Sequence, residues 1–146
     1  MTVSLIAPLV DAMKAHLATA LEGAGIPEEE GGDAPDIPVA TKVTAGADRL
    51  QVRLEGFRTL PGNTKYGRAD RHDFLVGVTY QELGEVIADP SDELPRVEGL
   101  VVAALKGWAP MEAASEIKFR GSFEAEEPDP EHASRVSRFF VNINGE

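Results

Sequence analysis

Three histidines, 25 acidic residues and one glycine-bearing basic stretch are the features of this 146-residue chain whose types could do chemistry. His72 and Asp73 stand side by side, and an imidazole next to a carboxylate is part of a nucleophilic triad. No partner serine is identifiable, and the chain has no cysteine. A thiolate nucleophile, a thiolate metal site and a disulfide framework are therefore excluded. Pro61-Gly62-Asn63 followed by Lys65 suggests a phosphate cradle, but a P-loop needs a Gly-Lys-Ser/Thr ending, which is absent. Glu28, Glu29 and Glu30 with Asp33 and Asp36 suggest calcium, but the EF-hand ligand spacing is missing. His16 lies beside an apolar helical stripe, where a packing role is simpler than a ligand role. No Rossmann fingerprint, nucleophile elbow or helical histidine pair occurs. A carboxylate dyad that meets only in space leaves no spacing to read. The residues thus nominate no catalytic group, no cofactor and no metal.

Charge is more informative. The net value of −11 argues against nucleic acid as the main partner. The distribution is uneven. Glu22 to Asp36 and Glu124 to Glu131 carry acids and no Lys or Arg. Arg49 to Arg71 holds Arg49, Arg53, Arg58, Lys65, Arg68 and Arg71 against Glu55 and Asp70. Opposite patches on one small domain suit head-to-tail association with copies of itself. The competing reading is two solvated acidic loops and a basic strand face.

The elements that must position these patches follow from period and punctuation. Leu5, Leu9, Met13, Leu17 and Leu21 make a helical stripe, with Thr2 or Ser4 as caps and Pro8 near the first turn. Glu22-Gly-Ala-Gly ends it. Ile26 to Asp36 reads as a polar connection without core. Val39, Thr41 and Val43 pair with Leu50, Val52 and Leu54 in an expected hairpin with one wet face, closed by Gly56 and Phe57. Arg58 to His72 reads as a long basic loop reaching a neighbouring subunit. Asp73 to Gln81 places Phe74, Val76, Val78 and Tyr80 on one face and is expected at the centre of a sheet. Leu94, Val97, Val101 and Leu105 mark a second helix, covered on more than one side. Pro95 is placed in its first turn, Gly107 at its left-handed cap and Trp108 folded back near Val102 and Ala103. Glu116 to Glu124, with Ile117, Phe119, Gly121 and Phe123 on one side, and Arg135 to Ile143 should pair antiparallel across an acidic turn.

The fold class is therefore α+β, a single domain over 1–146, with a mostly antiparallel sheet packed against two helices in the order α-β-β-β-α-β-β. The N-terminus has no basic region before its apolar residues, and no apolar run approaches a membrane span. The expectation is a soluble chain made in the cytoplasm, without a membrane partner.

Arg71-His72-Asp73-Phe74-Leu75-Val76 leading into a central strand is one of several local features with a precedent. The others are Leu105-Lys106-Gly107-Trp108-Ala109-Pro110 after the second helix, Arg138-Phe139-Phe140-Val141-Asn142 in the last strand, and the amphipathic N-terminal helix. Together they resemble the tail terminator, or tail completion, proteins of long-tailed bacteriophages. The resemblance implies a non-enzymatic virion protein that forms a hexameric ring at the head-proximal end of the tail. Such a ring ends tube polymerisation, with the tail tube protein and a head-tail connector protein as partners. DNA would pass through the lumen without sequence-specific binding. No catalytic residue is implied. The interface candidates, from charge, are Arg58, Lys65, Tyr66, Arg68 and Arg71 on the basic side. Glu28, Glu29, Glu30, Glu126, Glu127 and Asp129 are their acidic counterparts. Trp108 and Phe74 are expected to affect folding instead. Other readings are a different connector or tube subunit, a small acidic cytoplasmic protein-binding module, and a small hydrolase.

Overall fold

A computed structural model describes residues 6–27, 31–41, 50–60, 63–64, 67–81, 90–125 and 132–145. Helix α1 (Ile6–Ala20) buries Leu9, Met13 and Leu17, three residues four apart that fall on one stripe. Pro8 lies in its first turn, as expected, whereas Thr2, Ser4 and Leu5 lie outside the described residues. Gly23 ends the helix at φ 63°, and its N–H donates to the Asp36 carboxylate at 2.7 Å. The connection that follows is less detached than its composition suggests. Ile26 and Ile37 are buried, and the Gly25 N–H donates to the Pro35 carbonyl at 2.7 Å.

The strands are β1 (Val39–Ala40), β2 (Leu50–Leu60), β3 (Asn63–Thr64), β4 (Gly67–Gln81), β5 (Lys118–Ala125) and β6 (His132–Gly145). The sheet order is β1-β2-β4-β6-β5, with β3 turning back on β4. The sheet is mostly antiparallel and β4 is central, as the two-sided apolar pattern of Asp73 to Gln81 implies. Two expectations fail. β1 and β2 do not form a hairpin: Val39 and Ala40 run parallel to Val52 and Arg53, anchored by the Val52 N–H on the Pro38 carbonyl at 3.0 Å. Thr41 closes the described part of that segment, and residues 42–49 lie outside it.

The basic stretch after Phe57 is not a long loop either. β2 continues to Leu60 and β4 begins at Gly67, with Arg58 opposite Asp73 and Leu60 opposite Arg71. A bulge explains why the strand period was lost there. The register shifts between Glu55 and Arg58, Gly56 takes φ 65°, and the inserted residue exchanges the faces.

Helix α2 (Pro90–Leu105) lies on the sheet and against α1, burying Leu94, Val97, Val101 and Leu105. Asp92 and Glu93 sit in its first turn, where negative charge suits the exposed N–H groups. Pro95 is the sixth helical residue, one turn deeper than expected. It sits on the exposed side, so its ring displaces no core contact, although it gives up one backbone hydrogen bond. At the other end Gly107 takes φ 82°, the left-handed cap its position promises. The Trp108 N–H then donates to the Leu105 carbonyl at 3.1 Å.

The core lies between the helices and one sheet face. Phe57, Phe74, Phe139 and Phe119 form a continuous line of rings across it, with centroids 5.7, 5.5 and 5.4 Å apart. Such offset contacts add to area burial and fix the strand faces.

Candidate functional site

Alternation along β4 decides the fate of the His72-Asp73 pair. Successive side chains point to opposite faces, so the two groups that stand together in sequence are separated by the sheet. His72 faces the core side, is 5 % exposed and shares a 3.1 Å hydrogen bond between Nδ1 and the Thr59 hydroxyl. Its Nε2 is buried without a hydrogen-bond partner. Burial pushes the imidazole pKa below its ordinary 6.5, with Asp70 acting weakly in the other direction. Asp73 faces the opposite side and is held by Arg71 at 2.6 Å. Among the described residues no group of three or more His, Cys, Asp or Glu is placed to hold a metal.

His16 fastens the two helices. Its Nε2–H donates to the Ala104 carbonyl at 2.8 Å, and its ring stacks on Trp108 with centroids 3.8 Å apart. The open cavity beside this stack measures about 440 Å³ and is walled largely by alanine and glycine, with Lys106 at its rim.

The sheet face turned away from the helices gathers the basic residues. Its rows follow from the register: Arg53, Gly77, Val136 and Phe123; then Glu55, Leu75 and Arg138; then Arg58, Asp73, Phe140 and Lys118; then Leu60, Arg71 and Asn142. Val136 is buried yet lies outside the cluster that joins the helices to the sheet, as expected of a residue on this second face. Arg71 and Arg120 lie over the Phe140 ring at 4.4 and 5.6 Å, and Arg138 lies over Phe123 at 4.8 Å. Guanidinium groups so stacked keep their charge while covering aromatic surface. Phe123 remains 38 % exposed. At Gly77 an added Cβ would meet Glu55 Oε1 at 3.2 Å and the Arg53 guanidinium at 3.6 Å, so both side chains close over the glycine.

Of the interface candidates, Arg58 and Arg71 come together as diagonal neighbours around Asp73. Arg58 is exposed and Arg71 half-buried in its ion pair. Arg68 pairs through its backbone with Asn63 and Gly145. Lys65, Tyr66, Glu28, Glu29, Glu30, Glu126, Glu127 and Asp129 lie outside the described residues.

Sequence reading missed Arg120, Phe123, Arg138 and Phe140 as members of this surface. Strict alternation places Phe123 on the face of Ile117 and Phe119. A second bulge reverses it: register shifts between Phe119 and Ser122, and Gly121 takes φ 100°. The isolated Gly121 inside the strand pattern was the available signal, because such a glycine marks a bulge.

No family model matches this chain, and no curated protein does either. Among solved structures it is similar to a chain from the virion of a native gene transfer agent (GTA) particle. The TM-score is 0.62 at 16 % identity, over 97 % of this chain and 96 % of that one. At that identity the likeness is one of fold.

Proposed function

We propose that this chain is a structural virion protein of a phage-like particle, and within that class a tail terminator. The observation that carries the proposal is the near-complete two-way coverage of a chain from a gene transfer agent virion. The chain would close a ring, hexameric by the resemblance, on the head-proximal end of a tail tube. There it would end tube growth and offer its free side to the head-tail connector, with DNA passing through the lumen. This role is non-enzymatic. Two patches of opposite sign on one subunit suit it, because ring closure needs two different surfaces that complement each other. Arg58, Lys65, Arg68 and Arg71 would contribute on one side, and the 22–36 and 124–131 acidic stretches on the other.

The test is to add the purified protein to growing tail tubes and measure tube length by negative-stain microscopy. A terminator gives short tubes, each bearing one extra ring at one end, and forms no tube by itself. Unlimited polymerisation of the chain alone would make it a tube subunit. Rings that bind the connector and leave tube length unchanged would make it a head-side component.

A further inference from the structure

The sheet face opposite the helices has a composition unlike the rest of the chain. Arg58, Lys118, Arg120 and Arg138 are exposed on it, and Arg71 is half-buried among them. The acids interleaved with these cations are Asp73, already paired with Arg71, and the half-buried Glu55. The chain as a whole carries 25 acids against 14 bases, so this concentration of positive charge runs against its balance. Beneath the cations lies an apolar floor of Leu75, Val136, Phe140 and the exposed Phe123. Arginine and phenylalanine around a desolvated centre are what protein interfaces favour. Among the described residues neither helix packs on this face.

The described acids of the complementary stretch, Glu22, Asp33 and Asp36, belong to the helix side of the same molecule. Glu22 to Asp36 carries six acids, Glu22, Glu28, Glu29, Glu30, Asp33 and Asp36, and no base. Its described part is tied to the helix layer, through the Gly23–Asp36 contact and through the Arg96 guanidinium donating to the Ala24 carbonyl at 2.8 Å. Glu22 and Asp33 are exposed. One subunit cannot bring its own acidic stretch around to its own basic face, because the sheet lies between them. A second copy can.

We infer that the Arg138–Phe123–Phe140 face of the sheet is the docking surface for the exposed acids Glu22, Asp33 and Asp36 of a second copy of this chain. The contact is head-to-tail, so a pair keeps one free face of each kind, one on each copy, and association proceeds to a ring or a chain. This deepens the ring reading, which had placed the basic half of the contact on Arg58 to Arg71 alone. A copy is favoured over nucleic acid because the arginines are stacked on rings above an apolar floor. A net charge of −11 also opposes a polyanion.

The experiment uses two variants of the full chain. Arg138→Glu with Arg120→Glu spoils the basic face, and Glu22→Lys with Asp33→Lys spoils the acidic one. All of these side chains are exposed, so folding should survive, which circular dichroism and melting check. Mass is read by light scattering across a concentration series at about 50 and about 500 mM salt. The wild type should associate, and each variant alone should associate at least about tenfold more weakly. Mixed one to one, the two should regain association, since each supplies the intact face that the other lacks and the two reversed faces are themselves of opposite sign.

Wild-type association that both variants retain would overturn the assignment while leaving the ring reading standing. A wild type that stays monomeric throughout would overturn it too, and the tube-length assay would still judge the ring separately. Binding of a single-stranded oligonucleotide that Arg138→Glu abolishes, with no self-association, would assign the face to nucleic acid instead.

Discussion

His72 shows how much a single face assignment settles. A histidine buried neutral binds its proton less readily in the native state than in the unfolded chain. Above pH 6.5 both states are neutral and His72 contributes no pH dependence. As the pH falls through that value the unfolded chain takes up the proton first, so stability drops until the lowered native pKa is reached and then levels off. Urea titrations at closely spaced pH values should show this loss, and His72→Gln should remove that component while leaving the carboxylate titrations below it. An unchanged profile in the variant would show that His72 is not the group responsible. Neither the burial nor the idle Nε2 was readable from neighbouring letters. The adjacency of His72 and Asp73 suggested a pair, and strand alternation is what separates them.

Among the elements, both helices were legible because their apolar spacing exceeds any local ambiguity. Leu9, Met13 and Leu17 on one, and Leu94, Val97, Val101 and Leu105 on the other, are all buried. The strands were legible until a bulge reset their period. After Gly56 the alternation resumes on exchanged faces, and Arg58 to Leu60 ceased to look like strand. After Gly121 the same shift moved Phe123 to the other side. Gly56→Val tests the first bulge. An added Cβ would sit 3.0 Å from Leu75 Cδ1 at a φ of 65°, so the variant should lose about 1–3 kcal/mol. Hydrogen exchange should also accelerate first in Arg58–Leu60 and Arg71–Asp73. His16→Ala tests the helix seam. Losing the Ala104 hydrogen bond and the ring stack should cost about 1–2 kcal/mol in chemical denaturation. A neutral result would mean that apolar contacts alone hold α1 to α2.

At the scale of the whole molecule, composition exposed the charge asymmetry but not its geometry. The sequence grouped basic residues by proximity along the chain, Arg49 to Arg71. The sheet groups them by row, adding Arg120 and Arg138 from a hairpin about 60 residues away. Reversing Arg58 and Arg71 together should leave the fold intact, at a small cost for the lost Asp73 pair. On the ring proposal, it should lower the proportion of rings seen by negative stain, most clearly at low salt. Rings in undiminished number would remove these two residues from the interface. The stack of His16 on Trp108 has a use of its own. Trp108 is the only tryptophan in the chain, and it sits in the helix layer, across the core from the basic sheet face. Intrinsic fluorescence is thus a single-site optical gauge of the helical seam. It should change when the two helices part, so one cuvette could follow the opening of that seam.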